Sequence, residues 1–257
     1  MLVHEPATEK EDLRAHISAK ALDKSGRVLK ALGLLYFPFH DIALTELFTY
    51  YGPLAFVAAA IYQADEMNEL STTRVAPSLK TIASYLWRRG LLDERIKKYL
   101  RDGERYLRLE HRARVSRITS MKALTDAMYC RSSDFRILHC VLHQLSATPY
   151  DQHIFDAFVP FELIMEFEDD ISSFQRDREA NSFNFVRQLQ SLCGRDVVAF
   201  VESQRAEALS HLSERSRKLT AVQARRLAGI FEVYRALVPE PDISAVLRCA
   251  SIPSDGV

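Results

Sequence analysis

The chain has 257 residues, of which 34 are basic and 34 are acidic, so its formal net charge is zero. A chain of this length suits one domain with a sizeable core, and its ordinary hydrophobic and charged content excludes wholesale disorder. The balanced charge argues against a general nucleic-acid binder, because such proteins carry a basic excess. We therefore expect one domain over residues 1–257, with frayed ends at 1–10 and 251–257.

The sequence favours an intracellular protein. Residues Met1–Ser25 are charged throughout and lack the apolar core of a signal peptide, which predicts a cytoplasmic location. The best uncharged run, Tyr50–Ala64, is too short to cross a bilayer, so no membrane span is expected. The four cysteines show no paired spacing typical of zinc sites or disulfides, and we interpret them as reduced thiols: Cys130, Cys140, Cys193 and Cys249.

The predicted elements are all helices. Only 8 glycines and 9 prolines interrupt the chain, which favours long helices, and no strong strand pattern is present. Gly90 and Gly194 are expected to end helices, and a short last helix is expected after Pro241. The other predicted helices, near ten in all, run in chain order over Glu9–Leu35, the apolar Leu54–Tyr62 that Pro53 opens, Pro77–Trp87, Leu91–Leu109, a stretch ending at Tyr129, Pro160 to about Arg178, Asn181–Leu192, Arg195–Leu219 and Thr220–Leu237.

A first acidic cluster, Asp65-Glu66-Met67-Asn68-Glu69, follows the apolar segment. Asp65 and Glu69 are four residues apart, so on a helix both carboxylates project from one face. Carboxylate oxygens are the ligands that Mg²⁺ prefers. A plainer interpretation is that acidic residues end an apolar helix at solvent.

A second cluster, Asp169-Asp170-Ile171-Ser172-Ser173-Phe174-Gln175-Arg176-Asp177, lies in a largely apolar helix. Asp169, Ser173 and Asp177 have a spacing of four residues and therefore line one helical face. Two carboxylates and a hydroxyl on one stripe can chelate a single Mg²⁺. Arg176 lies beside them, and its guanidinium suits phosphate oxygens. The plainer alternative is a solvated acidic face.

The two clusters resemble the paired metal-binding motifs of class I terpene synthases. The first resembles that family's aspartate-rich motif, and the second resembles its N/D-D-L/I/V-x-S/T-x-x-x-E motif, with Asp177 in place of the usual glutamate. The run Asn181–Val186 also resembles the family's stretch downstream of the second motif. The resemblance implies an all-α antiparallel helical bundle around a central apolar cavity, the class I isoprenoid synthase fold.

A third resemblance lies between the two clusters, at Arg131-Ser132-Ser133-Asp134-Phe135. In the family, a helix break carries a diphosphate-sensing arginine, an acidic linker and an effector residue. Arg131, Asp134 and Phe135 match this order and spacing, and we expect Asp134 to hold the Arg131 guanidinium. The alternative interpretation is an ordinary surface Arg–Asp pair, which contributes little.

The resemblance implies a Mg²⁺-dependent terpene synthase that ionises and cyclises an isoprenyl diphosphate, with farnesyl diphosphate as the expected substrate and the geranyl and geranylgeranyl diphosphates left open. It implies three Mg²⁺ ions, with Mn²⁺ as a substitute, and a monomer or homodimer. The implied metal ligands are Asp65, Glu66, Glu69, Asp169, Ser173 and Asp177. The implied diphosphate-binding residues are Arg131, Arg176 and Arg248, although no C-terminal Arg-Tyr pair is found. Tyr62, one turn before Asp65, is the first candidate for a cavity aromatic.

Two other functions stay open. A prenyltransferase on the same fold would need a second allylic or isopentenyl substrate, and the D-x-x-x-S-x-x-x-D form of the second motif argues against it. A non-catalytic helical binding protein, or a degenerate synthase, would share the same helical pattern. His139 and His143 lack the acidic neighbour of a zinc-hydrolase motif and are interpreted as ordinary helix-face residues.

Overall fold

A computed structural model describes residues 17–71, 79–116 and 120–243 of the chain. These residues form α-helices and two short 3₁₀ turns, without any strand, which confirms the all-α prediction. The helices are α1 (Ala19–Leu35), α2 (Leu47–Leu70), α3 (Lys80–Arg88), α4 (Glu94–Ser116), α5 (Met121–Arg131), α6 (Ser133–Leu145), α7 (Gln152–Glu179), α8 (Phe185–Cys193), α9 (Val197–Ser216) and α10 (Ala221–Leu237). Glu9, Pro77, both predicted frayed ends and the short helix expected after Pro241 lie outside the described residues.

Local signals in the sequence explain several helix ends. Thr220 caps α10: its side chain accepts a hydrogen bond from the Gln223 N–H, and the Gln223 side chain accepts one from the Thr220 N–H. Gly90 has φ +69°, and the N–H groups of Gly90 and Leu91 donate to carbonyls in the last turn of α3. Gly194 ends α8 with φ +59°. Both glycines therefore end helices, as predicted.

Two prolines do not begin the helices that the sequence suggested. Pro53 lies inside α2, which starts at Leu47, and Pro160 lies inside α7. A proline within a helix leaves the carbonyl four residues earlier without its usual N–H donor. For Pro160 that carbonyl belongs to Asp156, and the Arg215 side chain of α9 donates to it at 2.7 Å. The long α7 therefore continues through its proline because α9 supplies the missing donor.

Helix α7 lies at the centre of the packing. It packs along α9 and also contacts α5 and α8, while α2 packs between α1 and α6. The largest side chains that are fully buried are aromatic and come mainly from α7, α8 and the end of α1: Tyr36, Phe37, Phe158, Phe161, Phe174 and Phe185. One buried ion pair, Arg136 with Glu162 at 2.7 Å, joins α6 to α7. Helix α6 therefore contacts both α2 and α5, and α5 contacts α7.

The described residues do not reveal the predicted central apolar cavity. Tyr36 and Phe158 stack with ring centroids 4.6 Å apart, and Phe135 and Phe161 lie at 6.0 Å and 6.2 Å from rings of the same cluster. Two surface grooves of about 240 Å³ and 200 Å³ lie elsewhere, between α9 and α10 and between α3 and α4. Neither groove includes a predicted site residue, so the cavity stays a prediction.

The segment Leu44–Leu70 has the length and the composition to cross a membrane. A core helix of a soluble protein passes the same test, and this segment includes α2, which packs against α1 and α6. Helix α2 also ends in the acidic cluster. The segment is thus weak support for a span, and no other described helix passes the test.

Candidate functional site

The acidic cluster of α2 faces α1. Asp65, Glu66 and Glu69 lie in the last turns of α2, after the apolar part of the helix. Each of them has a partner near the start of α1: Lys24 Nζ lies 2.6 Å from Asp65 Oδ2, Lys20 Nζ lies 2.7 Å from Glu69 Oε2, and the Ser18 hydroxyl donates to Glu66. All three predicted ligands on α2 are therefore engaged by α1.

On α7, Ser173 and Asp177 lie one turn apart and touch. The Ser173 hydroxyl donates a hydrogen bond to Asp177, and the Asn184 amide donates to the same Asp177 oxygen at 3.0 Å. Asn184 also donates to the backbone carbonyl of Asp170 and caps α8, which begins at the next residue. The second predicted motif thus has two of its three oxygen donors together, held by a side chain from its own downstream segment.

The third donor, Asp169, extends instead toward Arg131. Helix α5 ends at Arg131 and α6 begins at Ser133, so the predicted helix break is present. The Arg131 guanidinium lies 2.6 Å from Glu166 and 3.1 Å from Asp169, and it also donates to the fully buried Asp170. The basic residue of the break and the acidic residues of α7 therefore form one network.

Acidic groups outnumber cations in this network. Burial lowers the pKa of Arg131, but Asp170 and Glu166 outweigh that effect and hold it well above its ordinary value. Burial, despite the neighbouring Arg131, raises the pKa of Glu166 to about 8, with Asp134 and Asp169 acting in the same direction as burial. Because burial is the main cause, the raised pKa shows chiefly that Glu166 is enclosed, and the neighbouring carboxylates add to the effect.

The expected pair of Arg131 with Asp134 is not formed. Asp134 instead accepts a hydrogen bond from the Tyr62 hydroxyl at 2.5 Å, and its other oxygen accepts from the Phe135 N–H at 2.7 Å. The break at Ser132 explains the difference, because α6 packs on α2 whereas α5 contacts α7. Asp134 in the first turn of α6 consequently faces α2, and Arg131 at the end of α5 faces α7.

Tyr62, the predicted cavity aromatic, is buried among polar partners as well as apolar ones. Its hydroxyl donates to Asp134, and the Lys24 Nζ lies 4.7 Å from the centre of its ring. Burial first, and then Asp134, raises the pKa of Tyr62 well above its ordinary value. Phe135, the predicted effector residue, packs against Tyr36. Tyr62 therefore joins α1, α2 and α6 and does not face open space.

Acidic groups of α2 and of α7 both lie within electrostatic range of Tyr106. Tyr106 of α4 is the clearest marker, because burial and then Glu110 raise its pKa, and Asp65 of α2 and Asp170 of α7 both contribute in the same direction. Asp134, in turn, interacts electrostatically with both Lys24 and Arg131. Charges from α2 and α7 thus act on the same groups, although the carboxylates have separate partners.

Of the remaining predicted arginines, only Arg176 lies among the described residues, and it does not join the Arg131 network. The Arg176 side chain is 76% exposed and forms only a long 3.7 Å ion pair with Asp177. Arg248 lies outside the described residues. Tyr234 and Arg235, which the sequence presents in reversed order for a C-terminal Arg-Tyr pair, both contact the buried Glu168 of α7, at 2.8 Å and 2.6 Å. The Arg205 guanidinium also lies 3.2 Å from the Glu168 carboxylate.

The donor atoms suit Mg²⁺ in kind and charge, but they are not assembled around one point. Carboxylate and hydroxyl oxygens are the ligands that hard divalent cations take. Among the described residues, however, no three Asp, Glu, His or Cys side chains converge closely enough to hold an ion. Asp169 is engaged by Arg131, and the α2 carboxylates are engaged by α1. Metal binding therefore requires these side chains to change partners.

The sequence interpretation overlooked the lysines of α1. Lys20 and Lys24 have the same four-residue spacing as Asp65 and Glu69, and this match is the signal that could have found them. It also overlooked Glu166 and Asp170, because the motif assigns metal ligands only at Asp169, Ser173 and Asp177. For the buried Glu110, which accepts a hydrogen bond from Asn68, the sequence offers no signal.

Comparison with protein-family models, with curated proteins and with solved structures finds no match to the chain. The family resemblance therefore depends on the residues of the three motifs alone.

Proposed function

We propose that the chain is a Mg²⁺-dependent class I terpene synthase that ionises and cyclises an isoprenyl diphosphate, with farnesyl diphosphate as the expected substrate. One observation above all supports this function. Arg131, which matches the diphosphate sensor of the family, lies at a real helix break and contacts Asp169 and Asp170 of the second acidic motif. These residues are separated in sequence by a whole helix, so their contact was not implied by the motif alone.

The proposed metal ligands come from two helices. Asp65, Glu66 and Glu69 of α2 would hold ions on one side, and Asp169, Ser173 and Asp177 of α7 would hold them on the other. Bound Mg²⁺ would supply the positive charge that stabilises the departing diphosphate. Mn²⁺ has the same ligand preference and is expected to substitute.

Arg131 would act on the diphosphate directly. Its guanidinium has N–H groups that now donate to Asp169 and Asp170, and phosphate oxygens accept the same kind of paired hydrogen bond. A diphosphate at this position would therefore compete with the α7 carboxylates for Arg131. Because Arg131 is the last residue of α5, its movement would be transmitted to the break at Ser132.

The residues beyond the break would carry this movement to α2. Asp134 and Phe135 lie in the first turn of α6, and Asp134 is hydrogen-bonded to Tyr62. Arg176, which is largely exposed beside Asp177, would contact a phosphate that approaches from solvent. The isoprenyl chain needs an apolar chamber that excludes water, and the aromatic cluster around Tyr36 and Phe158 is where we expect it to open.

A second candidate is a non-catalytic helical binding protein or a degenerate synthase. The specific observation in its favour is that the interior beside the motifs is filled by stacked aromatic rings. A prenyltransferase on the same fold is the third possibility, and the experiment distinguishes it by its need for a second substrate.

The test is incubation of the full chain with the C10, C15 and C20 allylic diphosphates, with and without Mg²⁺ or Mn²⁺. Diphosphate release and hydrocarbon extracts are measured together. We expect metal-dependent release with a terpene product from the C15 substrate, and no release with Asp169→Ala or Ser173→Ala, both of which should fold normally. The matched control is Glu179→Gln, a change at an exposed acid of the same helix.

Each other outcome has a defined meaning. Release that occurs only with added isopentenyl diphosphate would assign the chain to the prenyltransferases. Absence of release with every substrate and metal would favour the non-catalytic protein. Full activity in Asp169→Ala would contradict the proposed α7 site.

A further inference from the structure

The contacts between α1 and α2 follow a regular pattern. The two helices run antiparallel, so that Lys20 pairs with Glu69 and Lys24 pairs with Asp65, at 2.7 Å and 2.6 Å. Each pair of residues is spaced by four positions, which is one helical turn. The lysines on α1 therefore match the carboxylates on α2 turn for turn.

The start of α1 is fixed to α2 by a third contact. Ser18 caps α1 by accepting a hydrogen bond from the Ala21 N–H at 3.0 Å, and the same hydroxyl donates to Glu66. The Ser18 N–H also donates to the Gln63 side chain at 2.7 Å. Every acidic residue of the first predicted metal motif is thus occupied by an atom from the first two turns of α1.

Most of the apolar contacts that hold α1 in the fold lie beyond these polar contacts. Four of its six buried residues are in the second half, Leu29, Leu32, Gly33 and Leu35, whereas Ala21 and Ser25 are buried in the first half. The two lysines are 62% and 42% exposed, and their partners Glu69 and Asp65 are 29% and 15% exposed. Ion pairs with an exposed cation contribute little to stability. The polar contacts of the first two turns are therefore the part of α1 that a cation bound to the α2 carboxylates would displace.

Lys24 also connects this surface to the break between α5 and α6. Its Nζ lies over the Tyr62 ring, and the Tyr62 hydroxyl donates to Asp134 in the first turn of α6. Its charge also acts on Asp134, whose pKa burial raises and Lys24 lowers. Removal of Lys24 from this position would change the surroundings of Asp65, Tyr62 and Asp134 together.

We propose that the start of α1 is an autoinhibitory latch: Ser18, Lys20 and Lys24 occupy Asp65, Glu66 and Glu69 in the ion-free protein and leave them when divalent cations bind. This regulation rests on the proposed function, because it concerns the same α2 carboxylates. The latch makes metal binding at α2 weaker than the carboxylates alone would allow, and it couples ion binding to the release of α1.

The direct test is calorimetric titration of the full chain with Mg²⁺ and, separately, with Mn²⁺. The variant is Lys20→Met with Lys24→Met, and the matched control is Arg27→Met with Lys30→Met, at two exposed basic residues further along α1. The control corrects for the general effect of removing two positive charges from the helix. We expect the double variant to bind the ion about threefold to tenfold more tightly than the control does.

Hydrogen exchange provides a second measurement that needs no activity. In the wild-type chain, saturating Mg²⁺ should speed amide exchange in the first two turns of α1 and leave its second half protected. In the double variant these turns should exchange quickly even without metal. A merely structural role of the lysines would raise exchange but would not tighten metal binding.

The outcomes separate the latch from the proposed function. Metal binding of equal affinity in the double variant and in the Arg27→Met, Lys30→Met control would overturn the latch and leave the metal site standing. Binding by the double variant alone would support the latch strongly. Absence of binding in every variant would overturn both proposals. If the double variant does not fold by circular dichroism, Lys24→Gln is titrated in its place, with the same expected direction.

Discussion

The acidic ends of α2 and α7 have similar compositions but are neutralised differently. On α2, the partners are two lysines of α1 whose side chains are 62% and 42% exposed. On α7, the partner is Arg131, which is only 19% exposed, and one of its carboxylates, Asp170, is fully buried. The cations of the α2 cluster are therefore open to solvent, although Asp65 and Glu69 are only 15% and 29% exposed. The cation of the α7 cluster is enclosed by the fold, although Asp169 is 60% exposed.

The backbone reinforces this difference. Asp170 accepts a hydrogen bond from the Phe185 N–H at 2.6 Å, and Asn184 donates to the Asp170 carbonyl, so the α7 cluster also orders the start of α8. On α2, the partners of the acidic side chains in the described part of the chain belong to the first two turns of α1. We infer that the α7 cluster is held more firmly than the α2 cluster, whose partners are the more readily exchanged half of the proposed site.

The largest expected effect comes from Arg131→Met. The substitution removes the only cation that contacts Glu166, Asp169 and Asp170 in the described residues, and it leaves buried carboxyl groups without compensation. We expect the free energy of unfolding to fall by about 3–5 kcal/mol, as for the loss of one partner of a buried ion pair. Urea denaturation followed by circular dichroism measures the change.

The control for this prediction is Arg105→Met. Arg105 pairs with Asp126 at 2.5 Å, but it is 48% exposed, so the same chemical change should cost less than about 1 kcal/mol. Equal losses in the two variants would show that the α7 network is no more firmly held than a surface pair, and the contrast between the two clusters would fail.

Asp177→Asn is expected to have the next largest effect. The Ser173 hydroxyl and the Asn184 amide both donate to the same Asp177 oxygen. Replacing Asp177 with asparagine preserves the shape of the side chain but removes the carboxylate that is the proposed ligand. Turnover of the allylic diphosphate should fall by about 10²–10³-fold, the usual loss when one group that stabilises developing charge is removed. Steady-state diphosphate release measures it, with Glu179→Gln as the unchanged control. Turnover within a few-fold of the wild type would exclude Asp177 from the site.

Much of this fold was predictable because its signals are local. Thr220, Gly90 and Gly194 end or begin helices through their own side chains or backbone angles, and such effects are visible in a short stretch of sequence. The break at Arg131 was likewise predicted in the right place. Pro160 was misinterpreted because the donor that accommodates it, Arg215, lies on another helix.

Contacts in the candidate site were predictable only where both residues lie on the same helix. The contact between Ser173 and Asp177 follows from a spacing of one turn, whereas the partners of Asp169 and Asp134 depend on which helices pack together. No rule of residue spacing indicates that Arg131 contacts α7 or that Asp134 accepts a hydrogen bond from Tyr62 of α2. The stacking of Tyr36 on Phe158 also depends on packing, and the sequence pattern of apolar residues does not distinguish stacked rings from rings that line a cavity.

Glu110→Gln tests the effect of a buried acidic residue near α2 on the pH dependence of stability. Glu110 lies behind α2 and accepts a hydrogen bond from Asn68, and burial and then Asp65 raise its pKa to about 8. The folded protein therefore keeps a proton on Glu110 between about pH 4.5 and pH 8 that the unfolded chain releases, so this residue lowers stability as the pH rises through that window.

Glutamine does not titrate, so the variant should gain stability relative to the wild type as the pH rises from about 4.5 to 8. The gain should reach at most about 1.4 kcal/mol for each pH unit and should level off above the pKa of Glu110. Urea denaturation at pH 5, 7 and 9 measures it, and Glu179→Gln should show no such trend. A difference between Glu110→Gln and wild type that is constant with pH would contradict the raised pKa.

The smallest expected effect is that of Lys24→Met on stability. The Lys24–Asp65 pair has a half-exposed cation and should contribute about 0.2–1 kcal/mol. At about 1 M salt, where the screening length is roughly 3 Å, this difference from wild type should shrink. The loss in Arg131→Met should persist at the same salt concentration, because buried pairs are screened much less. Urea denaturation of both variants at low and high salt therefore compares the two clusters directly. A salt-independent loss of several kcal/mol in Lys24→Met would show that α1 is fixed to α2 as firmly as Arg131 is fixed to α7, and the α2 cluster would no longer be the exchangeable one.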